Sequence, residues 1–137
     1  MPIVLIVDDE EMIRLVLRQF FAPFDLEILE AADGEEALGI IRTRRVDLVI
    51  CDLIMPRLDG IATIMGIRRI APGVRIIAMS GGGRIHALEL LKVAGQMGAD
   101  HVMAKPFTRN QILDVVGQCL AGTVAPATAP RAAAGGR

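Results

Sequence analysis

The stretch Ile3-Val4-Leu5-Ile6-Val7-Asp8-Asp9-Glu10-Glu11 decides the fold. Its first five residues form an unbroken branched apolar run, the pattern of a strand buried on both faces rather than of a half-exposed one. Four acids follow, and then Met12, Ile13, Val16, Leu17 and Phe20 recur at helical spacing. A doubly buried strand that passes through a short turn into an amphipathic helix is the opening of a parallel crossover unit.

The same alternation repeats along the chain. Leu26 to Leu29 predicts a second strand, and Ala37, Leu38 and Ile41 a helix capped by Asp33 with Glu36 three residues on. Val46 to Cys51 predicts a third strand, leading through a turn at Pro56 to Gly60 into a helix with Ile61, Ile64 and Ile67. Val74 to Met79 is a fourth strand, followed by a mobile loop at Ser80 to Gly83 and a helix with Leu88, Leu91 and Ala94. His101 to Ala104 is a fifth, halted at Lys105-Pro106, with Thr108 capping a last helix through Ile112, Val115, Val116 and Leu120. Five strands alternating with five helices predict an α/β fold with one doubly wound parallel sheet covered on both faces. In such sheets, sites form beyond the carboxyl ends of the strands, near the point where strand order reverses.

Composition bounds what those ends can serve. Of 137 residues, 53% are hydrophobic and 23% charged, enough for one compact core. Residues 1–121 read as one domain and the Ala-, Pro- and Gly-rich residues 122–137 as a disordered tail. The chain has no Trp or Tyr, and three of its four Phe are Phe20, Phe21 and Phe24, which argues against a base-stacking surface. Arg131 and Arg137 lie in the tail, so residues 1–121 carry 13 of the 15 basic residues against all 16 acids, the wrong balance for a nucleic-acid binder. No apolar run is long enough to span a bilayer, and Met1-Pro2 leads straight into strand, so no membrane partner and a cytoplasmic location are expected. Cys51 and Cys119, lacking C-x-x-C spacing, read as reduced core thiols.

The strand ends carry Asp8 and Asp9, Asp52, Ser80 and Lys105, whereas the second ends in Glu30-Ala31-Ala32 with nothing reactive. Taken singly, each has an ordinary explanation as a cap, a turn residue or a solvated strand end. Taken together, carboxylates converging from neighbouring first and third strands repel one another and recruit a counter-ion. Oxygen ligands without His or thiolate favour a hard cation such as Mg²⁺, which keeps waters and accepts a phosphate oxygen. Lys105, one of only two lysines, adds a point charge at the same edge, and Ser80 adds a hydroxyl.

Ile6-Val-Asp-Asp-Glu10, Asp52-Leu-Ile-Met-Pro-Arg-Leu-Asp-Gly60, Met79-Ser-Gly81 and Ala104-Lys-Pro-Phe107 together resemble the receiver domain of two-component response regulators, over roughly residues 2 to 121. The resemblance implies a flavodoxin-like sheet in the order 2-1-3-4-5 and Asp52 as the residue phosphorylated by a sensor histidine kinase or a histidine phosphotransfer protein. It implies Mg²⁺ held by Asp8, Asp9, Asp52 and the backbone carbonyl of Ile54, with Lys105 and Ser80 contacting the phosphoryl oxygens and a cis bond at Lys105-Pro106. By family analogy the output face is the helix around Ile85 to Gly95, the fifth strand and the last helix. An unknown downstream protein, or a second copy in a homodimer, would dock there.

Two positions depart from the family pattern. Val102 stands at the output-switch position where receivers usually carry Tyr or Phe, and Ile54 and Gly82 bring no polar side chain to the path of the hydrolytic water, which predicts slow self-dephosphorylation. No helix-turn-helix or enzymatic segment follows residue 121, so the expectation is a single-domain regulator that signals by protein contact and is not itself an enzyme. Rival readings are a receiver-shaped interaction module that is never phosphorylated, a Mg²⁺-dependent phosphatase with an Asp nucleophile, and a flavodoxin-like cofactor binder. The phosphatase reading lacks its Asp-x-Asp motif after the first strand, and four consecutive acids there oppose a bare phosphate loop.

Overall fold

A computed structural model describes residues 1–55, 59–81 and 85–121, with side chains left aside at 85–88, 90 and 91. The elements are β1 (Ile3–Val7), α1 (Glu11–Phe21), β2 (Glu27–Ala31), α2 (Gly34–Thr43), β3 (Leu48–Asp52), α3 (Gly60–Ile70), β4 (Arg75–Gly81), α4 (Ile85–Gln96), β5 (His101–Lys105) and α5 (Arg109–Ala121). All neighbouring strands are parallel, in the order β2-β1-β3-β4-β5. The expected flavodoxin-like receiver fold is the observed one.

The apolar runs work as their pattern implies. β1 and β3 are buried at all five positions, and successive residues feed opposite layers. Leu5, Val7, Val49, Cys51, Ile76 and Ala78 pack under α2 and α3 on Ala37, Ile41, Ile64 and Ile67. Val4, Ile6, Ile50, Ile77 and Met79 pack under α1 and α5 on Leu17, Phe21, Ile112, Val116 and Leu120. Phe21 and Phe24 are buried in that second layer, so the aromatic cluster is core. Both thiols are free and buried.

Local signals set the helix ends. Asp33 accepts the Glu36 N–H while Glu36 accepts the Ala32 N–H, and Thr108 and Gln111 trade hydrogen bonds reciprocally at the start of α5. Asp59 caps α3 by accepting from the Ala62 N–H. Among the described residues, no helix is long and apolar enough to cross a membrane.

Several boundaries differ from the sequence reading. β3 begins at Leu48 rather than Val46, because Asp47 turns its carboxylate onto the Ile3 N–H at 2.8 Å and onto Arg45. β2 runs to Ala31 because it pairs with β1 along its whole length, Ile3 to Glu27 through Val7 to Ala31. Ser80 and Gly81 belong to β4 rather than to a loop, since β5 holds them in register with Ala104 and Lys105. The rest of that predicted loop, the Pro56 to Leu58 part of the predicted turn and the tail at 122–137 lie outside the described residues.

The end of the molecule opposite the strand tips is tied by one side chain. Arg68 donates from Nη1 to the carbonyls of Pro72 and Val74, and from Nη2 to the Gly98 carbonyl and to Asp100. Asp100 in turn accepts the Ile76 N–H at 2.8 Å. Gly98 sits beside Arg68 at φ 127°, a left-handed conformation that suits glycine. Arg68→Ala is expected to cost about 2 kcal/mol in urea denaturation, by leaving several carbonyls short of a donor. A loss below about 0.5 kcal/mol would contradict that role.

Candidate functional site

The site lies beyond the carboxyl ends of β1, β3, β4 and β5, on both sides of the point where chain order reverses between β1 and β3. Asp8 follows β1 directly and is fully buried. Its Oδ1 accepts the Glu10 N–H at 2.9 Å and its Oδ2 accepts from Lys105 Nζ at 3.0 Å. Asp52 ends β3, also buried, with Oδ1 3.5 Å from the same ammonium and a hydrogen bond from the Ile54 N–H. Asp9 is exposed at the rim, yet one carboxylate oxygen from each of Asp8, Asp9 and Asp52 lies within 4.8 Å of the others.

The electrostatics follow from this crowding. Burial pushes the Asp52 carboxyl up to about 6; Lys105 pulls it down, Asp8 pushes it up, and the Ile54 N–H offsets only part of the rise. At Lys105, burial favours the neutral amine, but the Asp8 hydrogen bond and the charges of Asp52 and Asp8 outweigh it and raise its pKa. One ammonium thus faces two buried carboxylates with a third at the rim.

The donor set suits a hard divalent cation. It consists of carboxylate oxygens, and the neighbouring Cys51 Sγ donates to the Asp52 carbonyl at 3.3 Å as a thiol that burial and the flanking acids keep protonated. Ser80 Oγ is fully buried and has no hydrogen-bond partner among the described residues. An unsatisfied hydroxyl at the strand edge is costly unless another acceptor arrives there.

Two backbone hydrogen bonds fix Leu53, the residue after β3: its N–H donates to the Met79 carbonyl, and its carbonyl accepts the Gly60 N–H. Gly60 itself, the first residue of α3, packs against the backbone of Asp52 and Leu53 so closely that a methyl group there would overlap both. The Lys105-Pro106 bond is cis, as the resemblance implied.

Of the positions singled out from sequence, Asp8, Asp9, Asp52, Ser80 and Lys105 share this edge. The Ile54 side chain points to solvent beside them, and Gly82 lies outside the described residues. Val102 is away from the cluster, exposed on β5 near Gly95. Sequence reasoning quoted Gly60 within a motif without seeing its close approach to Asp52 and Leu53, and it did not see that Glu30, at the end of β2, pairs with Arg14 and Arg18 of α1.

Residues 4–117 match the family model described as the response regulator receiver domain. The chain belongs to the response regulator receiver family. Among its relatives, this receiver is 34% identical to the sporulation initiation phosphotransferase F of Bacillus subtilis over 113 residues, 82% of this chain and 89% of that one. It is 36% identical to a probable transcriptional regulator ycf27 of Porphyridium aerugineum over 80% of its length but only 44% of the relative's. In structure it resembles the receiver domain of NtrX from Brucella abortus, with TM-score 0.81 and 30% identity over 88% of this chain and 99% of the other. Receivers of this family are phosphoacceptors in two-component signalling. They take phosphoryl groups from histidine kinases and bind Mg²⁺ at an acidic pocket.

Proposed function

We propose that this receiver accepts a phosphoryl group on Asp52 from a sensor histidine kinase or a histidine phosphotransfer protein, in a Mg²⁺-dependent reaction, and signals by protein contact. The observation that carries this reading is the convergence of Asp8, Asp9 and Asp52 on one edge, with Lys105 Nζ between the two buried acids. Asp8, Asp9, Asp52 and the Ile54 carbonyl are the groups that would hold Mg²⁺. When bound, the ion would neutralise charge between the attacking and transferred oxygens.

The chain's own residues do the rest. An Asp52 oxygen forms the new bond to phosphorus as the phosphorus–nitrogen bond of the donor phosphohistidine breaks, and the imidazole leaves with the electron pair. Lys105 offsets the charge on the equatorial oxygens. The buried Ser80 hydroxyl, which has no acceptor among the described residues, would then find one in a phosphoryl oxygen. A hydrogen bond to a charged oxygen is worth about 1.5 to 3 kcal/mol, whereas carrying an equilibrium from 1:99 to 99:1 takes about 5.5 kcal/mol. Ser80 therefore shares the switch with Lys105 and with the segment that follows β4. Val102, a branched aliphatic on the exposed side of β5, would transmit the change by a contact different from an inward-turning ring.

Incubation of the purified chain with Mg²⁺ and a small acyl phosphate or phosphoramidate, followed by intact mass, tests the reading. Gain of one phosphoryl group that depends on Mg²⁺ supports it; no gain defeats it. The labelled protein is expected to decay over minutes or longer once donor is removed, because the Ile54 side chain is apolar and turned to solvent. Loss within seconds would contradict the slow hydrolysis expected here.

A further inference from the structure

The acidic turn is held from behind by a residue with no assigned role in phosphoryl chemistry. Arg14 lies one turn into α1 and is largely buried, with a side-chain exposure of 16%. Its Nε donates to Glu30 Oε1 at 2.8 Å, and its Nη1 donates to the Asp8 carbonyl at 2.7 Å. The other Glu30 oxygen pairs with Arg18 at 3.0 Å, so the carboxylate is gripped from two positions of α1. The remaining polar groups of Asp8 are also engaged: its N–H by the Ala31 carbonyl, Oδ1 by the Glu10 N–H and Oδ2 by Lys105.

The Asp8 carbonyl belongs to the peptide unit that joins Asp8 to Asp9. That unit is planar, so fixing its oxygen fixes the direction in which the chain enters Asp9. Arg14 thereby constrains the backbone under both acids of the turn, including the exposed Asp9. Its charge also lies behind three carboxylates that repel one another. A guanidinium suits this task because its planar fork reaches a carbonyl and a carboxylate at once, which a lysine ammonium does not.

From this geometry we infer that Arg14, oriented by Glu30, is a positioning residue for the divalent-cation site formed by Asp8, Asp9 and Asp52. The inference rests on the proposed binding of Mg²⁺ at those acids. Groups that orient ligands from outside the coordination sphere typically contribute 10- to 100-fold to metal affinity.

The test is a Mg²⁺ titration of the full, unphosphorylated chain, followed by amide NMR shifts, alongside melting of each variant in EDTA. Arg14→Ala is expected to weaken Mg²⁺ binding at least 10-fold. Arg14→Lys, which keeps charge and bulk if the alanine variant does not fold, is expected to lose most of the same affinity, since one ammonium drawn to Glu30 leaves the Asp8 carbonyl free. Arg18→Ala removes a contact to the same Glu30 without touching Asp8, and its affinity is expected to stay within twofold. Folded Arg14 variants that bind Mg²⁺ like the wild type would overturn the inference. Equal weakening by Arg18→Ala would also overturn it, by reducing Arg14 to a general stabiliser of α1. A wild-type chain that binds no Mg²⁺ would instead refute the cation site itself, and the inference with it.

Discussion

Asp52→Asn is expected to abolish phosphoryl uptake and, in the absence of metal, to make the protein more stable. The first effect follows from losing the oxygen nucleophile: no mass gain is expected with any small donor, against one phosphoryl group for the wild type. The second follows from burial. The Asp52 carboxyl titrates near 6 in the folded protein and near 4 in an unfolded chain. The folded state therefore binds the proton more tightly, and stability falls as pH rises from about 4 to about 6, then levels off. At neutral pH that difference corresponds to about 3 kcal/mol against the folded wild type.

An uncharged amide of the same shape removes the dependence, and Lys105 keeps Asp8 as partner. Urea denaturation in EDTA at pH 7.5 is expected to show Asp52→Asn more stable by about 1 to 3 kcal/mol, with the gap closing toward pH 4. Excess Mg²⁺ should narrow it as well, because the cation stabilises the wild type by binding its folded form. Phosphoryl uptake that survives the substitution would remove Asp52 from its role. Equal stability of the two proteins in EDTA would show that the carboxylate cluster carries no strain of charge.

Gly60→Ala is expected to cost about 3 kcal/mol or more, and to impair phosphoryl uptake beyond what the stability loss explains. Overpacking a well-filled site usually costs about 1 to 3 kcal/mol, relieved when a flexible side chain gives way. At Gly60 the obstacles are the Asp52 carbonyl oxygen and the Leu53 Cα, both backbone, so the chain must move where it positions Asp52. The control is Gly39→Ala in α2, where the added methyl meets nothing within 4 Å. Relief of unfolded-chain entropy in a helix interior should make that change stabilising by about 0.5 to 1 kcal/mol. Denaturation curves for the pair check both signs, and a neutral Gly60→Ala would show that the start of α3 is free to shift.

Much of this architecture was legible before any coordinates. Ile3 to Val7 announced a doubly buried strand because no polar residue interrupts it, and Asp33 with Glu36 and Thr108 announced two helix starts because capping is a local matter. Asp8, Asp52 and Lys105 were legible as neighbours because parallel topology sends their strand ends to one edge. The misreadings have a common cause. Ser80 and Gly81 precede two further glycines and read as loop, yet pairing with β5, remote in sequence, holds them in strand. The ion pairs of Glu30 were hidden because its partners lie on another element, and although the Asp59-Gly60 pair was visible, the close approach at Gly60 and the Arg14 contact involve backbone atoms whose positions a residue pattern does not specify.

Val102 is 44% exposed, and a methyl placed on Gly95 would only just reach it at 4.0 Å, so the surface between α4 and β5 has room. The chain has no tryptophan or tyrosine anywhere. In optical terms the protein is dark above the phenylalanine band, and this gap sits on the strand that also carries Lys105. An indole installed at position 102 would be the sole long-wavelength emitter in the molecule, turning an absent ring into a vantage point from which the state of the Asp52 edge can be watched without any label.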